Sequence, residues 1–249
     1  MISVTILTKN SARHIAKVLG ALAAFDEVAI LDTGSDDATL EIAKQFPNVV
    51  IYKHNFEGFG KAHNLISSLA SHDWILSLDS DEIATAALVE EIQGLALNPK
   101  CAYSLSRHNY YRGRFIKGCG WYPDRVVRLY NRKETRFSDA HVHEKVITDK
   151  VKVIPLSAPA LHFPYHSVND FTNKMQFYST LFAEEKRGKK KATLASAISH
   201  GLFAFVKSYF FKRGFLLGGE GFEISAYNGI TAYYKYLKLR DLNTNKSVK

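Results

Sequence analysis

Four short apolar runs, rich in β-branched residues, fall within the first 79 residues: SVTILT (3–8), EVAILD (27–32), VVIYKH (49–54) and WILSLD (74–79). Continuous apolar runs of this length suit strands buried on both faces. The segments between them carry helical spacing. Ile15, Val18, Leu19 and Leu22 fall on one face, Thr39 to Phe46 fits a short helix, and a helix is expected from about Ala62 to Ser71. Asn10 or Ser11 can cap the first helix. Alternating strand and helix predicts a parallel α/β sheet whose strand C-termini carry the site.

Those C-termini carry distinctive chemistry. The first strand ends in TKN (8–10), the second in DTGSDD (32–37) and the fourth in DSDE (79–82). Asp79 and Asp81 stand at i and i+2 where a strand ends, with Glu82 next. Mg²⁺ or Mn²⁺ takes oxygen ligands and commonly uses one or two carboxylates plus the phosphates of a substrate. The pair therefore suits a divalent cation on a diphosphate, and the two earlier strings suggest that the diphosphate belongs to a nucleotide. A D-x-D tripeptide can also be a solvated turn that starts the helix AALVEEI. Its place after a buried strand, behind the other two strings, favours the cation.

Beyond Asn98-Pro99 the rhythm changes. AYSLSRHNYY (102–111), RVVRLYNR (125–132) and KVKVIPL (150–156) read as strands without intervening helices, and helical segments follow near 168–187, 193–212 and 222–240. The tail LNTNKSVK is expected to fray. Charge is segregated: residues 1–100 hold 7 Lys and Arg against 13 Asp and Glu, and residues 101–249 hold 26 against 11. A basic second half suits an anionic membrane, a phosphorylated acceptor or nucleic acid. No helix-turn-helix, RNP or zinc-finger string supports nucleic acid. Two cysteines, Cys101 and Cys119, form no C-x-x-C, so neither a disulfide framework nor a cysteine zinc site is expected, and a reduced cytoplasmic compartment fits. MISVTILTKN reads as a first strand and not as a signal peptide.

TILTKN, ILDTGSDD and LSLDSDE together resemble the successive signatures of family 2 glycosyltransferases, over roughly residues 2–165. WYPDRVVRLYNR (121–132), RFSDAHVHEKV (136–146), LHFPYHSVNDF (161–171) and SYFFKRGFLLGG (208–219) are similar to a narrower group, the WaaE/KdtX glycosyltransferases of lipopolysaccharide core biosynthesis. The resemblance implies a GT-A fold, the nucleotide-diphospho-sugar transferase architecture, with a mostly parallel central sheet and a C-terminal helical extension. It divides the chain into a catalytic domain over 1–165 (a nucleotide-binding half, 1–100, and an acceptor-binding half, 101–165) and a basic, aromatic helical region over 166–249.

The resemblance also implies roles. Thr8, Asn10, Asp32 and Asp79 would hold the nucleotide, Lys61 the diphosphate, and Asp79 and Asp81 the metal, with His162 as a third ligand. Asp32 has an alternative as the first residue of a tight turn, Lys61 as part of a simple turn before a helix, and His162 as a loop histidine bonded to backbone. Many members have Glu where this chain has Ser11. An inverting transfer needs a base for the acceptor hydroxyl; Glu144 matches it, with Asp139 and Asp124 as rivals. Trp121 and Arg128 would face the acceptor. His108, His141, His143, His162 and His166 cluster without zinc spacing. The implied reaction moves a hexose from a nucleotide-diphosphate sugar donor, such as UDP-glucose, to a lipid-linked oligosaccharide acceptor, the inner core of lipopolysaccharide. The implied location is cytoplasmic, peripheral on the inner face of the bacterial cytoplasmic membrane. Another cell-surface acceptor, or a degenerate domain that binds without chemistry, are the alternatives. The stretch from Ala192 to Val206 is too short for a span of ~20 residues, so the apolar helices after KRGKKK (186–191) are expected to lie in a membrane interface or fill a helical core.

Overall fold

The computed structural model describes residues 1–139 and 144–244. It forms two compact units, one of residues 1–108 with 124–163, the other of 109–123 with 164–249. The expected 101–165 segment is thus divided, because 109–123, which hold the end of one strand (Cys101–Tyr111) and the short strand paired to it, group with the C-terminal helices.

The first unit is built on a sheet. β1 (Ile2–Thr8), β2 (Glu27–Asp32), β3 (Val49–Lys53) and β4 (Trp74–Asp79) alternate with α1 (Ala12–Gly20), α2 (Thr39–Ala43) and α3 (Phe59–Leu69). The short strand β5 (Glu82–Ala84) and α4 (Ala86–Gln93) follow, then β6 (Cys101–Tyr111), β7 (Arg114–Phe115), β8 (Arg125–Asn131) and β9 (Lys152–His162). The strand order is β3-β2-β1-β4-β8-β6-β9-β5. The first four strands are parallel, while β8 runs antiparallel to β4 and to β6.

Side chains alternate across a strand, and this assigns the two faces of the parallel half. Val4, Ile6, Val28, Ile30, Leu76 and Leu78 join Ile15, Val18 and Leu19 of α1 in one core. Ala29 and Leu31 join Ala62 and Ile66 of α3 in another. With both faces covered, β2 is buried at every residue, which is why its sequence is a continuous apolar run. Of its two buried acidic residues, Glu27 at the start is fixed by Ser71 N–H and Ser71 Oγ at 2.8 Å and by Ser3 Oγ. Burial pushes its pKa up, but these hydrogen bonds outweigh burial and hold it below the usual glutamate value.

In the second unit α5 (Val168–Lys186) and α6 (Leu194–Val206) pack on the long α7 (Gly218–Thr244). Both α5 and α6 start at capping boxes, Ser167 with Asp170 and Thr193 with Ser196. The helix expected near 193–212 is formed, α6 running on into a π turn (Lys207–Phe211). A 3₁₀ turn (Gly214–Leu217) follows, and Arg213 takes a positive φ of 56° between the two turns. Close packing explains why the helix stops there. A Cβ on Gly214 would lie 2.8 Å from Ser225 Oγ and 2.9 Å from Cys119 Sγ, and one on Gly221 would collide with the Gly214 carbonyl. The chain must turn at Lys212-Arg213-Gly214 to bring these two glycines together. Gly221→Ala is therefore expected to cost about 1–3 kcal/mol, the usual range for overpacking. An unchanged thermal midpoint for that variant would contradict the packing described.

Candidate active site

Strand register assembles the site. β1 lies between β2 and β4, pairing Thr8 with Asp32 on one side and Leu7 with Asp79 on the other. The three signature strings therefore emerge side by side, at the point where strand order reverses about β1. In open α/β sheets the ligand crevice forms at such a point, beyond the carboxyl ends of the strands.

The loops after β1 and β2 are tied together. Asp32 is buried and folds into its own turn, its Oδ1 accepting from Ser35 Oγ at 2.5 Å and from Ser35 N–H at 3.1 Å. Ser35 Oγ in turn accepts from Asn10 N–H at 3.0 Å, and Asn10 Oδ1 accepts from Asp36 N–H at 2.9 Å. Asn10 sits at φ 54°, the left-handed region that asparagine tolerates. The Thr8 carbonyl accepts from Thr33 N–H and Oγ1 at 3.0 and 3.2 Å, and the Thr8 hydroxyl is buried. Thr8, Asn10 and Asp32 thus shape the floor of the crevice as one hydrogen-bonded unit. Ser11 joins it to the carboxylate string, its Oγ lying 2.7 Å from Ser80 Oγ.

Under that string lies a buried network of charge. Arg128, on β8, is 6 % exposed. Its Nη2 donates to Glu82 Oε1 at 2.7 Å and to Asp79 Oδ2. Arg107, on β6, donates through Nη1 to Glu82 Oε1 at 3.1 Å and pairs through Nε and Nη2 with both oxygens of Asp124, at 2.9 and 3.1 Å. Glu82 closes the turn by accepting from Asp79 N–H at 3.1 Å. Burial alone would raise the Asp79 pKa. The Arg128 guanidinium overrides it, and Asp79 is held well below the usual carboxylate range. Beside it His63 is driven down to about 4 by burial and stays neutral, with Nδ1 3.2 Å from Ser77 Oγ and its ring stacked 4.2 Å from Phe137.

Arg128 was expected to face the acceptor, and the structure corrects this. Its guanidinium is turned inward and engaged by two carboxylates, so it serves Asp79 and not a bound sugar. Trp121 belongs to the second unit, where its ring stacks 5.5 Å from Tyr165 and Asn109 Nδ2 donates to its carbonyl at 2.7 Å. Lys61 is exposed on α3, with Nζ 3.6 Å from Glu57.

Asp81 and His162 approach each other. β9 pairs with β5 so that His162 stands opposite Glu82, and Phe163 N–H donates to the Asp81 carbonyl at 3.0 Å. This leaves His162 Nε2 3.5 Å from Asp81 Oδ1. Two donors at that spacing can share one octahedral cation, the rest of whose shell must come from substrate and water. No cluster of three or more His, Cys, Asp or Glu fit for a metal occurs among the described residues. The donor set therefore fits a cation carried with a diphosphate, and not a closed structural site. Asp79 meets both guanidinium groups through Oδ2.

The candidate bases differ in state. Burial raises the pKa of Glu144, and the charge of Asp79 adds to it. Asp139 is exposed and pairs with Arg136 at 2.6 and 3.0 Å, which lowers its pKa; Asn64 Nδ2 adds a bond at 3.3 Å. Asp124 is held by Arg107. Glu144 is thus the carboxylate of the three best suited to accept a proton. His141 and His143 lie outside the described residues.

Residues 3–149 match the family profile described as glycosyl transferase family 2. The chain belongs to that family. An uncharacterized glycosyltransferase of Rickettsia prowazekii is 30 % identical, the alignment covering 97 % of this chain and 87 % of the relative. The lipopolysaccharide core biosynthesis glycosyltransferase LpsC of Rhizobium meliloti is 24 % identical over 95 % of this chain and 89 % of its own. A mannosyltransferase of Pyrobaculum calidifontis, solved in complex with GDP-Man and Mn²⁺, shares the fold with a TM-score of 0.55 at 15 % identity, covering 95 % of this chain and 86 % of that one. This glycosyltransferase therefore has the GT-A fold expected from its strings.

Arg107, Glu82 and His63 had no assigned role in the sequence reading. A signal was present: Arg107 and Arg128 interrupt apolar strands, and an arginine there needs a buried carboxylate partner. Arg128→Met is expected to cost this glycosyltransferase about 3 kcal/mol in urea denaturation, since removing one partner strands the others. Arg128→Lys should restore little, because one ammonium cannot reproduce the planar fork. A stable, fully active Arg128→Met enzyme would show that the network is dispensable.

Proposed function

We propose that this protein is an inverting, metal-dependent hexosyltransferase. It would use a nucleotide-diphosphate sugar, UDP-glucose or a close relative, and a lipid-linked oligosaccharide of the lipopolysaccharide inner core. The observation that supports the reading is the Asp81–His162 approach of 3.5 Å following Asp79 at the end of β4, in a family 2 sheet, with Glu144 within the electrostatic reach of Asp79. The whole-length similarity to LpsC supports the acceptor class. The catalytic domain would be the sheet unit, and the enzyme would work at the cytoplasmic face of the inner membrane, where a lipid-borne acceptor is presented.

In this mechanism the locked loops around Thr8, Asn10 and Asp32 receive the nucleotide, and Lys61 offers a point charge to the diphosphate. Asp81 and His162 would hold Mg²⁺ or Mn²⁺ together with Asp79. When bound, the cation acts as a Lewis acid that neutralises charge developing on the leaving diphosphate. Glu144 accepts the proton of the acceptor hydroxyl as its oxygen attacks the anomeric carbon. The bond to the diphosphate breaks on the opposite face, and the configuration inverts. Glu144 must be ionised to do this. Its raised pKa means that kcat/KM should fall on the acid side through a value above the ordinary 4.5 of a glutamate.

The test is nucleotide release from UDP-glucose, UDP-galactose, UDP-GlcNAc and ADP-heptose, with Mn²⁺ or EDTA. One donor should be preferred, and EDTA should abolish its turnover. Asp81→Asn should lose Mn²⁺-dependent binding of UDP by calorimetry while keeping its melting temperature. Glu144→Gln should keep UDP binding and lose turnover by roughly 10²–10⁴-fold, the usual scale of a positioned base. If Asp139→Asn alone behaved so, Glu144 would not be the base.

A further inference from the structure

The second unit carries an apolar surface that the transfer reaction does not use. Leu202, Phe203, Phe211 and Leu216 are between 61 % and 74 % exposed. Soluble monomers rarely present many such side chains; Phe210 and Phe215, their chain neighbours, and Phe222 are exposed as well and meet round one ring. Tyr209 of the π turn lies 5.6 Å from Phe205, 5.1 Å from Phe210, 6.4 Å from Phe215 and 6.0 Å from Phe222. Phe205 links this cluster to a groove between α6 and α7. The groove has a volume of about 350 Å³ and is lined by Ile198, Leu202, Phe205, Ile230 and Tyr233, with Gly201 and Gly229. Its size falls within the roughly 300–1,000 Å³ of ligand pockets.

The chemistry of its surroundings selects the occupant. Lys207, Lys212 and Arg213 are exposed among the phenylalanines. The unit as a whole holds 17 Lys and Arg against 6 Asp and Glu. Two of those acids, Glu220 and Glu223 on α7, are paired with Arg114 at 3.5 Å and Arg112 at 2.9 Å. Aromatic and aliphatic side chains flanked by cations match an anionic bilayer, with rings at the acyl boundary and Lys and Arg at the headgroups. The stretch from Leu194 to Phe211 is long and apolar enough to cross a membrane. Its inner side, however, is bound to α7. Ala197, Gly201 and Ser208 are buried, and Ser208 Oγ bonds to Ser225 Oγ at 2.9 Å and accepts from Asn228 Nδ2 at 3.0 Å. A segment anchored in this way lies along a surface.

We propose that the α6–α7 face inserts into an anionic lipid bilayer and takes a lipid acyl chain into the groove between the two helices. This deepens the reading of a lipid-borne acceptor and rests on it for its biological use. Vesicle binding needs neither donor nor acceptor, so the two ideas fail separately.

The test uses the full chain and vesicles of phosphatidylcholine with or without phosphatidylglycerol. Flotation should follow phosphatidylglycerol and weaken with salt. Phe211→Asp and Leu216→Asp should each lower vesicle affinity at least tenfold while leaving UDP binding unchanged. Leu202→Trp places a reporter at the groove. Its emission should shift to the blue on anionic vesicles and be quenched when their acyl chains are brominated. Val50→Trp, a control on exposed β3 of the other unit, should show neither effect. Absent flotation, or equal quenching at both positions, overturns the proposal. So does a sedimenting dimer in which the Leu202→Trp reporter is already shielded without lipid, since that would give the face to a second copy. Loss of transfer in Asp81→Asn with intact flotation leaves the proposal standing, and absence of transfer in the native protein with intact flotation would fault only the catalytic reading.

Discussion

Arg128 is a charge placed where a strand should be apolar, and the geometry of the carboxylate string depends on it. Asp79, Glu82 and Asp124 bring three negative charges together beneath the crevice. Without cations between them, burial would favour protonation of Asp79 and the turn at 79–82 would lose its ties to β6 and β8. Arg128 and Arg107 allow Asp79 to remain ionised and fix Oδ2, so its other oxygen has a defined direction. Such a network is a weak source of net stability, because desolvation offsets much of the attraction. What it supplies is geometry: a carboxylate already oriented before any ligand arrives, which lowers the ordering cost of binding.

The same principle governs the loops. Asp32, Ser35, Asn10 and Asp36 form a chain of hydrogen bonds, and Ser11 carries it to Ser80 within the D-x-D string. Position 11 illustrates how a departure from a family pattern can be absorbed locally. A serine there is short enough to meet Ser80 Oγ directly, so the first loop braces the carboxylate turn by a hydroxyl pair. The crevice is then defined by strand register and by side chains bonded to one another, with few surfaces left to adjust.

Much of this architecture was legible because the physics behind it is local. Apolar runs of six residues with helical spacing between them identify parallel strands, and β1 to β4 fall where those runs lie. The strand ends place Asp32 and Asp79 side by side once β1 is central. What one sequence could not show depends on contacts distant along the chain. Arg128 is read from its motif as an acceptor ligand, but its role is set by Glu82 and Asp79, more than 40 residues away. The helix expected over 193–212 forms, but that it ends in a π turn and a sharp reversal depends on Gly214 meeting Gly221, a constraint invisible to periodicity. Segment 109–123 belongs with the C-terminal helices because Tyr111, Ile116 and Cys119 share a core with Phe171, Leu217 and Ile224.

The charge segregation then acquires a structural meaning. The sheet unit holds 16 Lys and Arg against 18 Asp and Glu, so it is close to neutral, whereas the helical unit is strongly basic. A donor with a diphosphate is managed best by a few placed cations and a metal, since a broad positive field would bind any polyanion. A membrane carrying a phosphorylated saccharide is different: it is extended, and its attraction scales with the number of cations near the surface. Placing paired, buried arginines in one unit and exposed lysines among phenylalanines in the other separates these two demands. On this argument, substitutions that remove exposed cations from the helical unit should change access to a membrane-borne acceptor, while those at Arg107 or Arg128 should act on the donor site whatever the acceptor.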